Sequence, residues 1–163
     1  MSRNIILALV VASLVGCASQ HTSNQVVTAS KPGLTLSQEQ SWQLMSGKWY
    51  GSQPTKEGGL KQHVVERFAD GTYKLTFKIS ESDGTVRESV EVGNWGVSGT
   101  VYFTIFRGWL NGEDIRPSDP TSPYNYDAYK IVNLTKENFE YEHFTSGNKY
   151  NIKKVPTDFA FPQ

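Results

Sequence analysis

Several side chains able to bind or titrate fall in phase with apolar ones along alternating segments. Glu66 keeps step with Val64 and Phe68, Glu88 with Val86 and Val90, Tyr129 with Ile131, and His143 with Phe139 and Tyr141. In an extended chain every second side chain points to the same face, so this phasing predicts that all four look inward. A carboxylate or imidazole on a dry face needs a partner. The partners on offer are one another, Arg67, Lys154, or the polar head of a ligand. Tyr73, Phe77, Tyr129 and Tyr141 would then supply walls, and Glu66, Glu88 and His143 would orient the head of a small apolar or amphipathic molecule. The competing reading places the same groups at the wet mouth of the fold, or shifts the alternation by one residue.

Catalytic chemistry has little to work with. The sequence carries no glycine-rich phosphate loop, no His-Glu-x-x-His and no serine elbow. His63 and Glu66 are three apart on a strand, so they point to opposite faces and make no metal pair. Glu66, Glu88 and His143 could form an acid–base cluster inside a cavity. The expectation is nevertheless a protein with no catalytic residue, no metal and no cofactor.

A second candidate is the segment 107–126, a long connection holding Arg107, Trp109, Asn111-Gly112, three prolines, Tyr124 and Tyr126. Such a length in a compact domain suits a lid or a partner-binding loop. The plainer reading is a surface loop whose aromatic residues pin it down.

A third is Cys17, the only cysteine. Arg3 makes a positive start, and residues 5–15 are apolar, too few to span a bilayer as a helix. Leu14-Val15-Gly16-Cys17 then resembles the bacterial lipobox, in which the cysteine takes lipid on its sulfur and becomes the mature terminus. The resemblance implies a signal peptide over 1–16 and a lipid anchor in the envelope. Ala18 stands where an aspartate would imply inner-membrane retention, so it points to the outer membrane, facing the periplasm.

Cleavage before Cys17 leaves 147 of the 163 residues, with fifteen basic and sixteen acidic side chains and a formal charge of −1. That balance argues against nucleic acid as a partner. With one cysteine there is no internal disulfide, and packing must hold the domain together. All twenty aromatic residues lie after the signal segment and can supply that core. Residues 17–36 are rich in Ser, Thr and Gln with one Lys-Pro-Gly break, and read as a flexible linker reaching roughly 20–25 Å.

The folded part is expected over 37–155, with a short tail over 156–163. Ser37 and Gln40 have the spacing of a capping box, so a short helix is predicted over 37–45. Eight strands follow, at 47–53, 60–68, 72–80, from 86 onward, 101–106, 127–134, 139–144 and 150–155, with turn residues between them. The segment 72–80 alternates most cleanly, and 101–106 is apolar at nearly every position. At Gly93 the parity changes from Val86, Val90 and Val92 to Trp95 and Val97, which predicts a bulge there. Eight hairpin-connected strands suit an up-and-down antiparallel barrel, which removes exposed edges; an immunoglobulin-like sandwich is the alternative.

The order of helical turn, Gly47-x-Trp49 on the first strand and seven more strands resembles the lipocalin-like (calycin) superfamily. Phe68-x-Asp70-Gly71-Thr72-Tyr73 and Gly93-x-Trp95 are similar to features of bacterial lipocalin-like domains. The Thr-Asp motif between the later strands of true lipocalins is not evident, which implies a divergent relative. The resemblance implies that Trp49 plugs one barrel end and that Lys153 or Lys154 packs over it. The functional expectation is a lipid-anchored envelope protein binding a small ligand. The alternative is a filled barrel that meets an envelope protein partner through 107–126.

Overall fold

The computed structural model describes residues 36–162; Cys17, the apolar leader and nearly all of the linker lie outside them. One helix precedes the strands: α1 (Gln38–Met45). The strands are β1 (Gly47–Pro54), β2 (Leu60–Arg67), β3 (Thr72–Ser80), β4 (Val86–Ser98), β5 (Val101–Asn111), β6 (Asp114–Pro117), β7 (Tyr126–Leu134), β8 (Asn138–His143) and β9 (Lys149–Lys154). All pairings are antiparallel. The order β4-β3-β2-β1-β9-β8-β7-β5 closes through a β4–β5 pairing, giving an eight-stranded barrel with β6 appended to β5. First and last barrel strands join directly, so the sandwich alternative does not hold.

The helix forms as its sequence predicts. Ser37 Oγ accepts from the Gln40 amide at 3.2 Å, and Gln40 Oε1 accepts from the Ser37 amide at 2.9 Å. The helix lies across one barrel end and stacks Trp42 on Trp95, ring centres 4.2 Å apart. Beneath it Trp49 is fully buried and donates its indole N–H to the Met45 carbonyl at 2.8 Å.

The seam between β1 and β9 pairs Trp49 with Lys154 and Tyr50 with Lys153. Lys154, not Lys153, packs over Trp49, with Nζ 4.5 Å from the ring centre. The same ammonium donates to the Leu44 carbonyl at 3.0 Å and to the Ser46 carbonyl, satisfying the open C-terminal end of α1. Burial, with Arg67 adding repulsion, draws the Lys154 ammonium below the ordinary lysine range.

Two strands depart from expectation. The parity change at Gly93 is not a bulge in β4, which pairs with β3 in unbroken register. The register shift falls on the β4–β5 ladder, where Val92 faces Gly108 and Gly93 faces Phe106, so the extra residue is Arg107 of β5. β5 is not covered on both faces either: Tyr102 is buried while its neighbour Phe103 is exposed and lies over Gly96. It also runs on to Asn111 and turns back as β6, so 107–117 is a hairpin extending past the barrel. Only 118–125 stays irregular, and it includes a 3-10 turn at Pro123–Asn125.

The tail is structured as well. Phe159 and Phe161 lie against Tyr50 on the outer face, with ring centres 5.0 and 6.4 Å away. Lys48 Nζ donates to the carbonyls of Thr157 and Phe159. Lys154→Met is expected to lower unfolding free energy by about 2 kcal/mol, the scale of charged hydrogen bonds lost to two helix carbonyls. Lys153→Met should change it by less than about 0.5 kcal/mol. Urea unfolding of the two variants checks which lysine seals the barrel.

Candidate functional site

The end of the barrel away from α1 opens into a cavity of about 230 Å³. Its position follows from strand parity. On β2 the inward side chains are Lys61, His63, Val65 and Arg67; on β3 they are Tyr73, Leu75 and Phe77. Glu91 of β4, Tyr102, Thr104 and Phe106 of β5, Asp127 and Tyr129 of β7, Tyr141 of β8 and Tyr150 of β9 complete the lining, with Gln53 at the rim.

Tyr73, Phe77, Tyr129 and Tyr141 are therefore where the sequence placed them. Glu66 and Glu88 are not. The phase of β2 and β4 is the reverse of that expected, and both carboxylates point outward. Glu66 lies between Lys48 and Lys74 across the neighbouring strands, and Glu88 opposite Lys78. Opposite charges on adjacent strands stabilise each other on a wet face, which accounts for both placements. The outer apolar residues of β2 mislead because the tail covers them: Val64 and Glu66 line a groove closed by Phe159 and Phe161.

His143 has inward parity but serves the rim. Its Nε2 lies 3.1 Å from Asp127 Oδ1 and its ring 5.1 Å from that of Tyr129. Nδ1 meets Ser146 Oγ at 2.8 Å and accepts the Ser146 amide at 3.1 Å, so Nε2–H is left to donate to Asp127. Hydroxyl, imidazole and carboxylate stand in the order of a nucleophile relay. Here, however, Ser146 Oγ also accepts the Asn148 amide at 3.3 Å, and the set closes the β8–β9 turn.

The inner end of the cavity is built around Arg67, which is 2% exposed. Nε and Nη2 donate to Tyr102 Oη at 3.2 and 2.9 Å. The guanidinium carbon lies 4.7 Å from the Tyr102 ring centre and 5.4 Å from that of Phe139. Nη1 is buried with no acceptor. Above it stands a cluster of phenols. Tyr102 stacks on Tyr129 at 5.2 Å, Tyr141 stacks on Tyr150 at 4.9 Å, and Tyr129 meets Tyr141 edge-on at 5.2 Å. Burial pushes the phenols of Tyr73, Tyr129 and Tyr141 upward, so all three stay protonated donors.

Nearer the mouth, burial raises the Glu91 carboxyl; Lys61 opposes the shift and Asp127 adds to it. His63 packs over Gly51, where a Cβ would strike its ring. Burial, with Arg67 and then Lys61, lowers its pKa to about 4, so it is a neutral hydrogen-bonding group at neutral pH. His63, Glu91, Tyr102 and Tyr150 were missed in the sequence, and Arg67 entered there only as a partner for a buried carboxylate or imidazole. The signal for two of them was available, since Arg67 and His63 share parity with Val65.

The segment 107–126 does not converge on the cavity. Arg107 donates Nε to Asn94 Oδ1 at 2.9 Å on the outside, and Trp109 packs edge-on to Phe106 at 5.2 Å. Tyr124 and Tyr126 are 91% and 56% exposed. No group of three metal-ligating side chains occurs among the described residues.

No family model matches the chain, and no curated protein matches it. Among solved structures it is similar to a lipocalin-like protein from Bacteroides uniformis ATCC 8492. The match has 17% identity and a TM-score of 0.40, covering 69% of this chain and 99% of that one. The assignment of a closed barrel rests on the strand pairings of this chain itself.

His63 is neutral when folded down to about pH 4 but titrates near 6.5 when unfolded. Its contribution to stability is therefore fully present above pH 6.5 and is lost as pH falls from there to about 4. The loss between pH 7 and 4 should be about 3 kcal/mol, and His63→Phe should remove that part of the pH profile. Denaturant unfolding of both proteins at pH 7, 5.5 and 4 measures it.

Proposed function

We propose that this protein is a lipid-anchored component of the bacterial cell envelope whose barrel holds a small amphipathic ligand. The cavity carries this reading: about 230 Å³ of space inside a closed barrel, walled by tyrosines, with a buried cation at its inner end. Small-molecule sites usually run from ~300 to 1,000 Å³, so the occupant is small and not a long-chain lipid. Ring faces suit an apolar or aromatic body, and the phenols suit a polar head. Binding is the proposed role, because the phenols and the buried guanidinium offer stacking faces and hydrogen-bond donors to a held molecule.

The envelope address rests on the sequence around Cys17. Acylated there, the protein would hang by the linker 18–36 from the periplasmic face of the outer membrane. Exposed Tyr124, Tyr126 and Ile115 favour a second role for the mouth-side hairpin and loop, that of meeting an envelope protein.

Two measurements test these statements. Native mass spectrometry of the purified protein should show a bound small molecule. Leu75→Trp, which fills the cavity, should abolish that peak while leaving circular dichroism unchanged; an unaltered peak would place the molecule elsewhere. For the anchor, labelled palmitate should enter the wild-type chain and not Cys17→Ser. Label in both, or in neither, would sink the lipid attachment at this residue.

A further inference from the structure

We propose that Arg67 is the receptor for an anionic head group and that the ligand is a small, flat carboxylate. The inference rests on the reading of the barrel as a ligand container and names the chemistry it takes. Arg67 is a poor choice as a purely structural residue. It is buried at 2% exposure, and among the described residues no carboxylate lies within ion-pair range of it. Its acceptors are neutral phenol oxygens: Tyr102 Oη takes both Nε and Nη2, and the Tyr141 phenol lies within hydrogen-bonding reach of the guanidinium. Nη1 is left with no acceptor. Two aromatic rings soften the charge but do not neutralise it. Its field also bears on other cations, since it helps lower both Lys154 and His63. A desolvated cation with no counterion is costly, and an apolar side chain would pack the same place better.

The missing partner fits the cavity. Arg67 is one of the residues lining the space, with Nη1 just beneath its surface. A planar guanidinium matches a carboxylate through parallel N–H donors. The limited volume and the stacked and edge-on pairs among Tyr102, Tyr129, Tyr141 and Tyr150 suit a flat ring behind that head. Nearer the mouth Glu91 and Asp127 outnumber Lys61, so the outer cavity is unfavourable for the negative end. The anion is therefore driven inward to Arg67.

The test uses the full chain in lipid nanodiscs, with empty nanodiscs as blank, and calorimetric titration with benzoate and with benzamide, which match in shape but not in charge. Benzoate should bind at least about tenfold more tightly, the scale of a lost charge-assisted hydrogen bond. Arg67→Met should erase that difference and melt at or above the wild-type temperature, because it removes an unpaired buried charge. Equal affinities in the wild type, with Leu75→Trp blocking both ligands, would overturn the anion receptor and leave the container standing. Failure of both ligands at millimolar concentration would overturn both. If Arg67→Met does not fold, Arg67→Lys decides: it keeps the charge without the fork, and benzoate affinity should fall about tenfold. Unchanged affinity there counts against the proposal. Inorganic phosphate binding as tightly as benzoate would overturn the flat-carboxylate class.

Discussion

Closure of the sheet at the β1–β9 seam is the constraint on which the rest of the structure depends. The register there is short, only Trp49 with Lys154 and Tyr50 with Lys153, and it is extended by the Val155 amide donating to the Lys48 carbonyl at 3.0 Å. Two paired positions are a weak join by themselves. Lys154 strengthens it by linking three parts at once: its backbone sits in the seam, its ammonium covers Trp49, and its protons cap the carbonyls at the end of α1. The plug, the helix and the last strand therefore share one residue. An inside exists because that end is shut.

What is inside is unusually polar for a small barrel. Such an interior is just wide enough to be filled by side chains or to hold one small ligand. Near Trp49 it is solid, with Phe139, Ile152 and Met45 packed almost free of solvent. Further up, phenols, an imidazole and a guanidinium replace aliphatic side chains. These groups are larger and stiffer than leucine, and each needs hydrogen bonds, so they do not collapse on one another. Rigidity and unmet hydrogen-bonding capacity together keep the space open. The same features make this half of the barrel a poor core and leave a cavity with stiff, polar walls.

The fold was more legible in the sequence than the site. Alternation in 72–80, the capping box at Ser37 and Gln40, and the turn glycines marked all eight barrel strands, with β5 alone running well past its expected end, to Asn111. Inward phase was the point of failure, on β2 and β4. The usual rule takes apolar positions as inward, which assumes one dry side and one wet side. On β2 the tail residues Phe159 and Phe161 cover part of the outer face, while the inner face carries Lys61, His63 and Arg67 around a cavity, so the rule reversed. On β4 the valines at 86, 90 and 92 are β-branched residues that suit a strand whether covered or not. The parity change at Gly93 was real as a pattern, but the irregularity it signalled belonged to β5.

By itself the sequence determined the strands, the turns, the helix cap and the opening tryptophan, because those depend on local spacing and backbone preference. It also carried the cysteine and apolar leader on which the envelope reading depends. Only the tertiary structure decided which lysine lies over Trp49, which face of β2 looks inward, and that the terminal tail covers part of the outside. Each is a relation between residues about a hundred positions apart, or between a strand and what covers it. Parity gives two faces and does not label them; the label comes from closure of the barrel and from the packing of Phe159 and Phe161 against its wall.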